Sequence, residues 1–120
     1  MISKGLDDEV FVIREASLLV KIHHLIEAIN NNEVEFKTGH MTMEFISSLV
    51  TSDRVCESTI NNMPDYRRDQ PLIYTYIADQ GRIIDGNHRL AKRISDGYPS
   101  CEVIAVDPEV LLKFCEELGF

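Results

Sequence analysis

The sequence predicts an α+β domain, a small mixed β-sheet with packed helices, and three observations carry that expectation. Runs rich in β-branched and aromatic residues recur at Val10–Ile13, at Leu72–Ile77 and over residues 101–106. Between them the apolar residues return at helical spacing, as Ile22, Leu25, Ile26 and Ile29 do. The two kinds of segment mix without strict alternation, and 120 residues suffice for one core, so residues 1–120 are read as a single domain.

Val10–Ile13 reads as the first strand, at a sheet edge. Residues 16–30 follow as one helix with Leu18, Leu19, Ile22, Leu25, Ile26 and Ile29 on its buried stripe. Asn30, Asn31 and Asn32 end it, because their side chains compete with the backbone and tolerate left-handed geometry. Residues 34–38 alternate as a short strand that Gly39 stops. Met41, Phe45, Ile46, Leu49 and Val50 make a second amphipathic segment with Thr42 as its cap, and a helical reading over 54–62 rests on Val55, Thr59 and Ile60. Residues 61–65 break the chain, and 66–71 lead as a loop into the strand Leu72–Ile77. Residues 78–81 turn a hairpin whose returning arm is 82–85. After the strand 101–106, Asp107 is read as an N-cap and Pro108 as the first residue of a final helix. That helix buries Leu111, Leu112, Phe114, Cys115 and Leu118 and closes at Gly119.

Hydrophobic residues make up 44% of the chain and charged residues 27%, values that exclude a disordered chain. The formal net charge of −8 repels nucleic acid and acidic membrane surfaces, so DNA is not an expected partner. Cys56, Cys101 and Cys115 are odd in number and far apart, which indicates neither a disulfide framework nor a zinc site. With no apolar signal core and no run long enough to span a bilayer, a cytoplasmic protein without membrane contact is expected.

The most informative stretch is residues 82–97. It reads as a short strand, a tight turn at Gly86-Asn87 and a helix closed by Gly97, with Asn87 as N-cap. Leu90, Ala91 and Ile94 form the apolar face, leaving His88, Arg89, Lys92 and Arg93 elsewhere. Three cations and an imidazole on a helix whose first amides already favour negative charge suit a phosphate. Gly86 would let the backbone approach the anion, Arg89 would supply a planar donor fork, and His88 could donate a hydrogen bond or move a proton. Asp85 would orient Arg89 or His88, bind a divalent cation or act as a base, orientation being favoured. The bland alternative is a short helix with a wet basic face.

The string Ile-Ile-Asp-Gly-Asn-His-Arg-Leu-Ala, followed by Gly97, a strand and Asp107, resembles the ParB/sulfiredoxin superfamily over roughly residues 69–113. The resemblance implies a ParB/sulfiredoxin-like fold and a phosphate-binding set of Gly86, Asn87, His88, Arg89 and Arg93. In sulfiredoxin-like enzymes a catalytic cysteine stands where this chain has Asn87, so sulfinic acid reduction is excluded. ParB proteins bind a cytidine nucleotide through a Gly-x-x-Arg helix that Gly86 and Arg89 match in spacing, but 120 residues leave no room for their further modules. Free-serine kinases carry an Asp-Gly-His-His-Arg string, the nearest match to Asp85 through Arg89. The two resemblances together imply a nucleotide (ATP, ADP or CTP) with Mg²⁺ held by Asp85 or Glu15, and Glu15, from the kinases, joins Asp85 and His88 as a catalytic candidate.

Three classes of function follow. The first is a nucleotide- or phosphate-binding domain, with phosphoryl transfer or hydrolysis as its enzymatic form. The second is a non-enzymatic regulatory or inhibitory module that docks on a protein partner. The third is a nuclease, disfavoured by the acidic charge. Arg67 and Arg68 either line the same pocket and contact a second phosphate or belong to a solvated loop, the latter favoured. His23 and His24 are adjacent on a helix and point about 100° apart, a poor metal pair. His40 is read as a loop residue, and Tyr74 and Tyr76 as core or interface packing.

Overall fold

The computed structural model describes residues 10–49 and 57–118. They form two sheets and several helices, an α+β architecture as the sequence predicts. The first sheet is antiparallel and ordered β1 (Val10–Ile13), β2 (Leu18–Lys21) and β7 (Cys115–Glu117). The second is mixed and ordered β3 (Lys37–Thr42), β6 (Ser100–Ala105), β4 (Leu72–Ile77) and β5 (Gln80–Asp85), with only β4 and β6 parallel. The helices are α1 (Ile22–Asn30), α2 (Met43–Ile46), α3 (Glu57–Asn61), α4 (Asp65–Arg68), α5 (Asn87–Ser95) and α6 (Pro108–Leu111). None is long and apolar enough to cross a membrane.

The first sheet is a correction to the sequence reading. A turn over Arg14–Ala16, closed by Ser17 at φ 52°, folds the chain back, so that Leu18–Lys21 is a strand and not the start of the helix. Leu18 and Val20 are buried and Leu19 and Lys21 less so, a period of two. A run as short as Leu-Leu-Val satisfies strand and helix spacing alike, and ladder bonds to both β1 and β7 decide for the strand. The C-terminal helix is likewise shorter than expected. It stops at Leu111, a single 3₁₀ turn covers Leu112–Phe114, and Cys115 pairs with Val20. Leu112, expected in the core, is 49% exposed.

Strand β3 also departs from expectation, because it runs through Gly39 instead of ending there. Its unbroken register with β6, from Lys37 opposite Ala105 to Thr42 opposite Ser100, makes the strand, and its side chains are nearly all exposed. Thr42 caps α2 as predicted, accepting from the Phe45 amide at 3.4 Å. Residues 66–68, read as a loop, belong to α4. Ala78 and Asp79, at φ 54° and 59°, make the two-residue turn of the β4–β5 hairpin. Val50, Val55, Cys56 and Gly119 lie outside the described residues.

Alternation along the mixed sheet divides the core in two. Ile73, Ile84 and Ile104 face α1 and the first sheet, packing with Ile13, Val20, Leu25 and Leu111. Leu72, Ile83, Cys101 and Val103 face the other way, onto Ile46 of α2 and Leu90 of α5. Helix α5 is thus held against the sheet, and α3 and α4 pack on α5 in turn.

Candidate functional site

Strand β5 delivers Asp85 to a turn in which Gly86, at φ 99°, starts α5. A left-handed φ favours glycine on its own, and here space adds a second demand. A Cβ on Gly86 would stand 2.6 Å from Leu72 Cδ2 and 2.9 Å from Arg89 Nη2. The room that the sequence reading reserves for an anion is therefore filled by the chain's own leucine and guanidinium. Asn87 is the first helical residue, not the cap, and its Nδ2 donates to Ile83 O at 3.0 Å. At the other end Gly97 (φ 78°) closes the helix as predicted. Its amide bonds Ile94 O and the Tyr98 amide bonds Arg93 O, the paired bonds of a Schellman ending.

The basic face of α5 is turned inward. Asn87, His88, Arg89, Leu90 and Arg93 are buried, whereas Ile94, expected in the core, is 39% exposed. Arg89 is 0% exposed, and its Nη2 donates to Asp85 Oδ2 at 2.9 Å and to Pro71 O at 3.1 Å. Arg93 Nε donates to Arg68 O at 2.7 Å, and its Nη2 donates to Gln70 O at 2.6 Å. Two guanidinium groups thereby hold three carbonyls of the segment that leaves α4 and enters β4. The orienting role read for Asp85 agrees with this geometry. Arg89 as an open donor fork does not, since a phosphate would have to displace a fully covered carboxylate.

The remaining candidates lie apart from that pair. Glu15 sits on the turn after β1 and pairs with Arg82 at 3.2 Å. Its carboxyl is held below the usual range first by a hydrogen bond from its own backbone amide and then by the Arg82 charge. Arg82 and Asp85 are three residues apart on β5, roughly 10 Å of strand. Asp85, enclosed with Arg89, and Glu15, exposed and paired elsewhere, do not fit a hydrated octahedral Mg²⁺. Among the described residues no group of three or more His, Cys, Asp or Glu gathers as a metal site. His23 is half-buried and His24 exposed, and His40 lies on exposed β3 instead of a loop.

A cavity of about 260 Å³ opens beside this frame, lined by Ser58, Thr59, Asn62, Met63, Pro64 and Arg67. Arg67 is only 3% exposed, so its charge stands in the cavity wall and not in solvent. Ser58 and Asn62 share one face of the α3 segment at i, i+4, and Asn62 Nδ2 donates to Ser58 O at 2.9 Å. Buried Met63 supplies an apolar wall, and Pro64, extended at ψ 154°, turns the chain into α4. Ser58, Thr59 and Arg67 among the lining residues carry the hydroxyl and guanidinium groups that suit an anionic oxygen cluster.

Comparison with protein-family models, with curated proteins and with solved structures returns no match.

Arg68, the neighbour of the cavity arginine, points the other way. It bonds Asp69 at 3.0 Å and Asp96 at 3.1 Å and lies over the Tyr98 ring at 5.2 Å. The Tyr98 hydroxyl donates to Asp69 Oδ1 at 2.8 Å. The Arg68 hydrogen bond, followed by that of Tyr98, lowers the Asp69 pKa, and the Asp69 bond raises that of Tyr98. This cluster ties α4 to the end of α5 from outside as Arg93 does from inside. Sequence reasoning singled out the Arg67-Arg68 pair without separating the two roles. It passed over Ser58 and Asn62, whose i, i+4 spacing was the available signal.

Proposed function

We propose that this chain is a phosphate-binding module that takes the phosphate end of a nucleotide or phosphorylated small molecule in the cavity between α3 and α4. The observation that carries the proposal is Arg67, a nearly covered cationic residue lining a cavity that Ser58 and Thr59 also line. In a chain of net charge −8, an anion is held only where local donors outweigh the overall field. A volume of about 260 Å³ is below the roughly 300–1,000 Å³ of whole-ligand pockets, which favours a phosphate and its first attached carbons inside and the remainder outside.

The ParB/sulfiredoxin-like assignment is part of the same proposal, supported by the strand, Asp-Gly-Asn-His-Arg turn and helix, and by α5 packing on a mixed sheet. The turn then acts as a frame. Arg89 and Arg93 fix the carbonyls of residues 68, 70 and 71, and this sets the position of α4 and of Arg67. Binding without turnover is the favoured form, because a general base must reach the proton it removes and Asp85 is enclosed with Arg89. That leaves the regulatory module as the second reading.

Thermal unfolding with orthophosphate, ATP, ADP and CTP tests the proposal. A ligand at a hundred times its Kd stabilises by about 2.7 kcal/mol. Loss of a charge-assisted bond of about 1.5–3 kcal/mol in Arg67→Gln should weaken binding roughly ten- to hundredfold. No shift with any of these ligands, or an equal shift in Arg67→Gln, would refute it.

A further inference from the structure

The outer edge of β3 is built unlike the edges that proteins protect. Native edge strands are shortened, bulged, or broken by proline and inward charges. β3 has six residues, no proline, an unbroken register with β6 and one charged residue, Lys37. Among the described residues no strand pairs with its other side. The edges of the first sheet, β1 and β7, are only four and three residues long.

Which backbone groups face outward follows from one bond. The Met43 amide donates to Pro99 O at 2.9 Å, continuing the β3–β6 register. Alternate residues of an antiparallel strand point their N–H and C=O to the same neighbour, so Met41, Gly39 and Lys37 also face β6. Thr38 and His40 then present both groups to the open edge and Thr42 its N–H, the Thr42 carbonyl being the one that opens α2. Partners in a hydrogen-bonded antiparallel pair must both face each other, which restricts self-pairing to registers within that set of three. Only one register uses all three, with His40 opposite His40 and Thr38 opposite Thr42.

We propose that β3 pairs antiparallel with β3 of a second copy of this chain, on a two-fold axis at His40. The side chains suit this register. Gly39 falls opposite Met41, and a Cβ on Gly39 would meet nothing within 4 Å, so there is open space for the partly buried Met41 of the other copy. Lys37 falls opposite Met43, so no fixed like charges face each other, and the Thr–Thr pairs are of a favourable cross-strand type. Glu102 stands opposite His40 on β6, which flanks the two central imidazoles with carboxylates. The strand spans only about 20 Å, a contact smaller than the roughly 800 Å² per partner of a stable complex. The dimer is therefore weak and concentration-dependent, and it is independent of the phosphate cavity.

Sedimentation of the full chain should show the mass rising from 13.7 kDa towards twice that value with concentration. His40→Pro removes an outward N–H that β6 does not use, and the folded variant should stay at the monomer mass. Register is read by cysteine cross-linking in a glutathione buffer, with the unsubstituted protein giving the background of the native thiols. His40→Cys places two Cα atoms about 5.5 Å apart, within the disulfide span of about 4.4–6.8 Å, and should link. Thr38→Cys places them about 14 Å apart and should not. A wild-type chain that stays monomeric up to about 1 mM overturns the proposal. So does a His40→Pro variant that dimerises normally, or equal linking of the two cysteine variants.

Discussion

Removing one partner of the Asp85–Arg89 pair should be among the most damaging single changes in the chain. The two side chains are 1% and 0% exposed and meet at 2.9 Å, so neither charge can be re-solvated when the other is lost. Breaking such a pair costs about 3–5 kcal/mol, most of it from the charge left behind. At about 2.1 cal/mol/K per residue, 120 residues give an unfolding entropy near 250 cal/mol/K, and each kcal/mol moves Tm by about 4 °C. Asp85→Leu and Arg89→Met should each therefore lower Tm by roughly 12–20 °C. The double variant Asp85→Leu/Arg89→Met leaves neither member of the pair as an unpaired buried charge, and it should recover most of that loss. It should remain about 1 kcal/mol short for the bond to Pro71 O. Calorimetry on the four proteins closes the cycle. Single variants within about 4 °C of wild type, or losses that simply add in the double variant, would refute a buried, coupled pair.

Gly86→Ala should destabilise by about 2–4 kcal/mol through its positive φ and the overlap with Leu72 and Arg89, as urea unfolding would show. Asp107→Ala should cost less than the roughly 1 kcal/mol of an ordinary cap, because the Asp107 carbonyl takes the Val110 and Leu111 amides while its carboxylate makes no cap bond. The lowered Asp69 pKa means that its contribution is present above the unfolded carboxyl pKa and lost as pH falls through the folded one. The raised Tyr98 pKa puts the opposite limit on the alkaline side, its contribution being lost as pH rises through the phenol range. Asp69→Asn should accordingly flatten the acid limb of Tm against pH relative to wild type.

The sequence made some elements legible because local and tertiary demands agree there. β1 alternates in burial, the β4–β5 hairpin carries β-rich residues covered on both faces, and α5 is bounded by two left-handed glycines. β2 was hidden because a Leu-Leu-Val run fits either period, and β3 because an exposed edge has no buried alternation to read. The turn at residues 85–89 could be recognised as a cluster, but not the direction of its donors. Gly86, Arg89, Leu90 and Arg93 recur at i, i+3, i+4 and i+7 and form the true inward stripe. Hydropathy assigns two arginines on that stripe to solvent, because it does not count the carbonyls of Arg68, Gln70 and Pro71 that receive them. The favoured solvated-loop reading of Arg67 is overturned by its burial in α4, a helix whose four residues are too few to define a face from sequence.

The central claim is that the Asp-Gly-Asn-His-Arg turn is an internal frame and that the anion binds next to it. A ¹⁵N-resolved NMR titration with orthophosphate, followed by the nucleotide that stabilises most, tests this residue by residue. Saturable shifts at the amides of Ser58, Thr59, Asn62, Met63 and Arg67, with Asp85 through Arg89 moving little, are the predicted result. Shifts centred on Gly86, His88 and Arg89, with the α3–α4 amides unmoved, would contradict it.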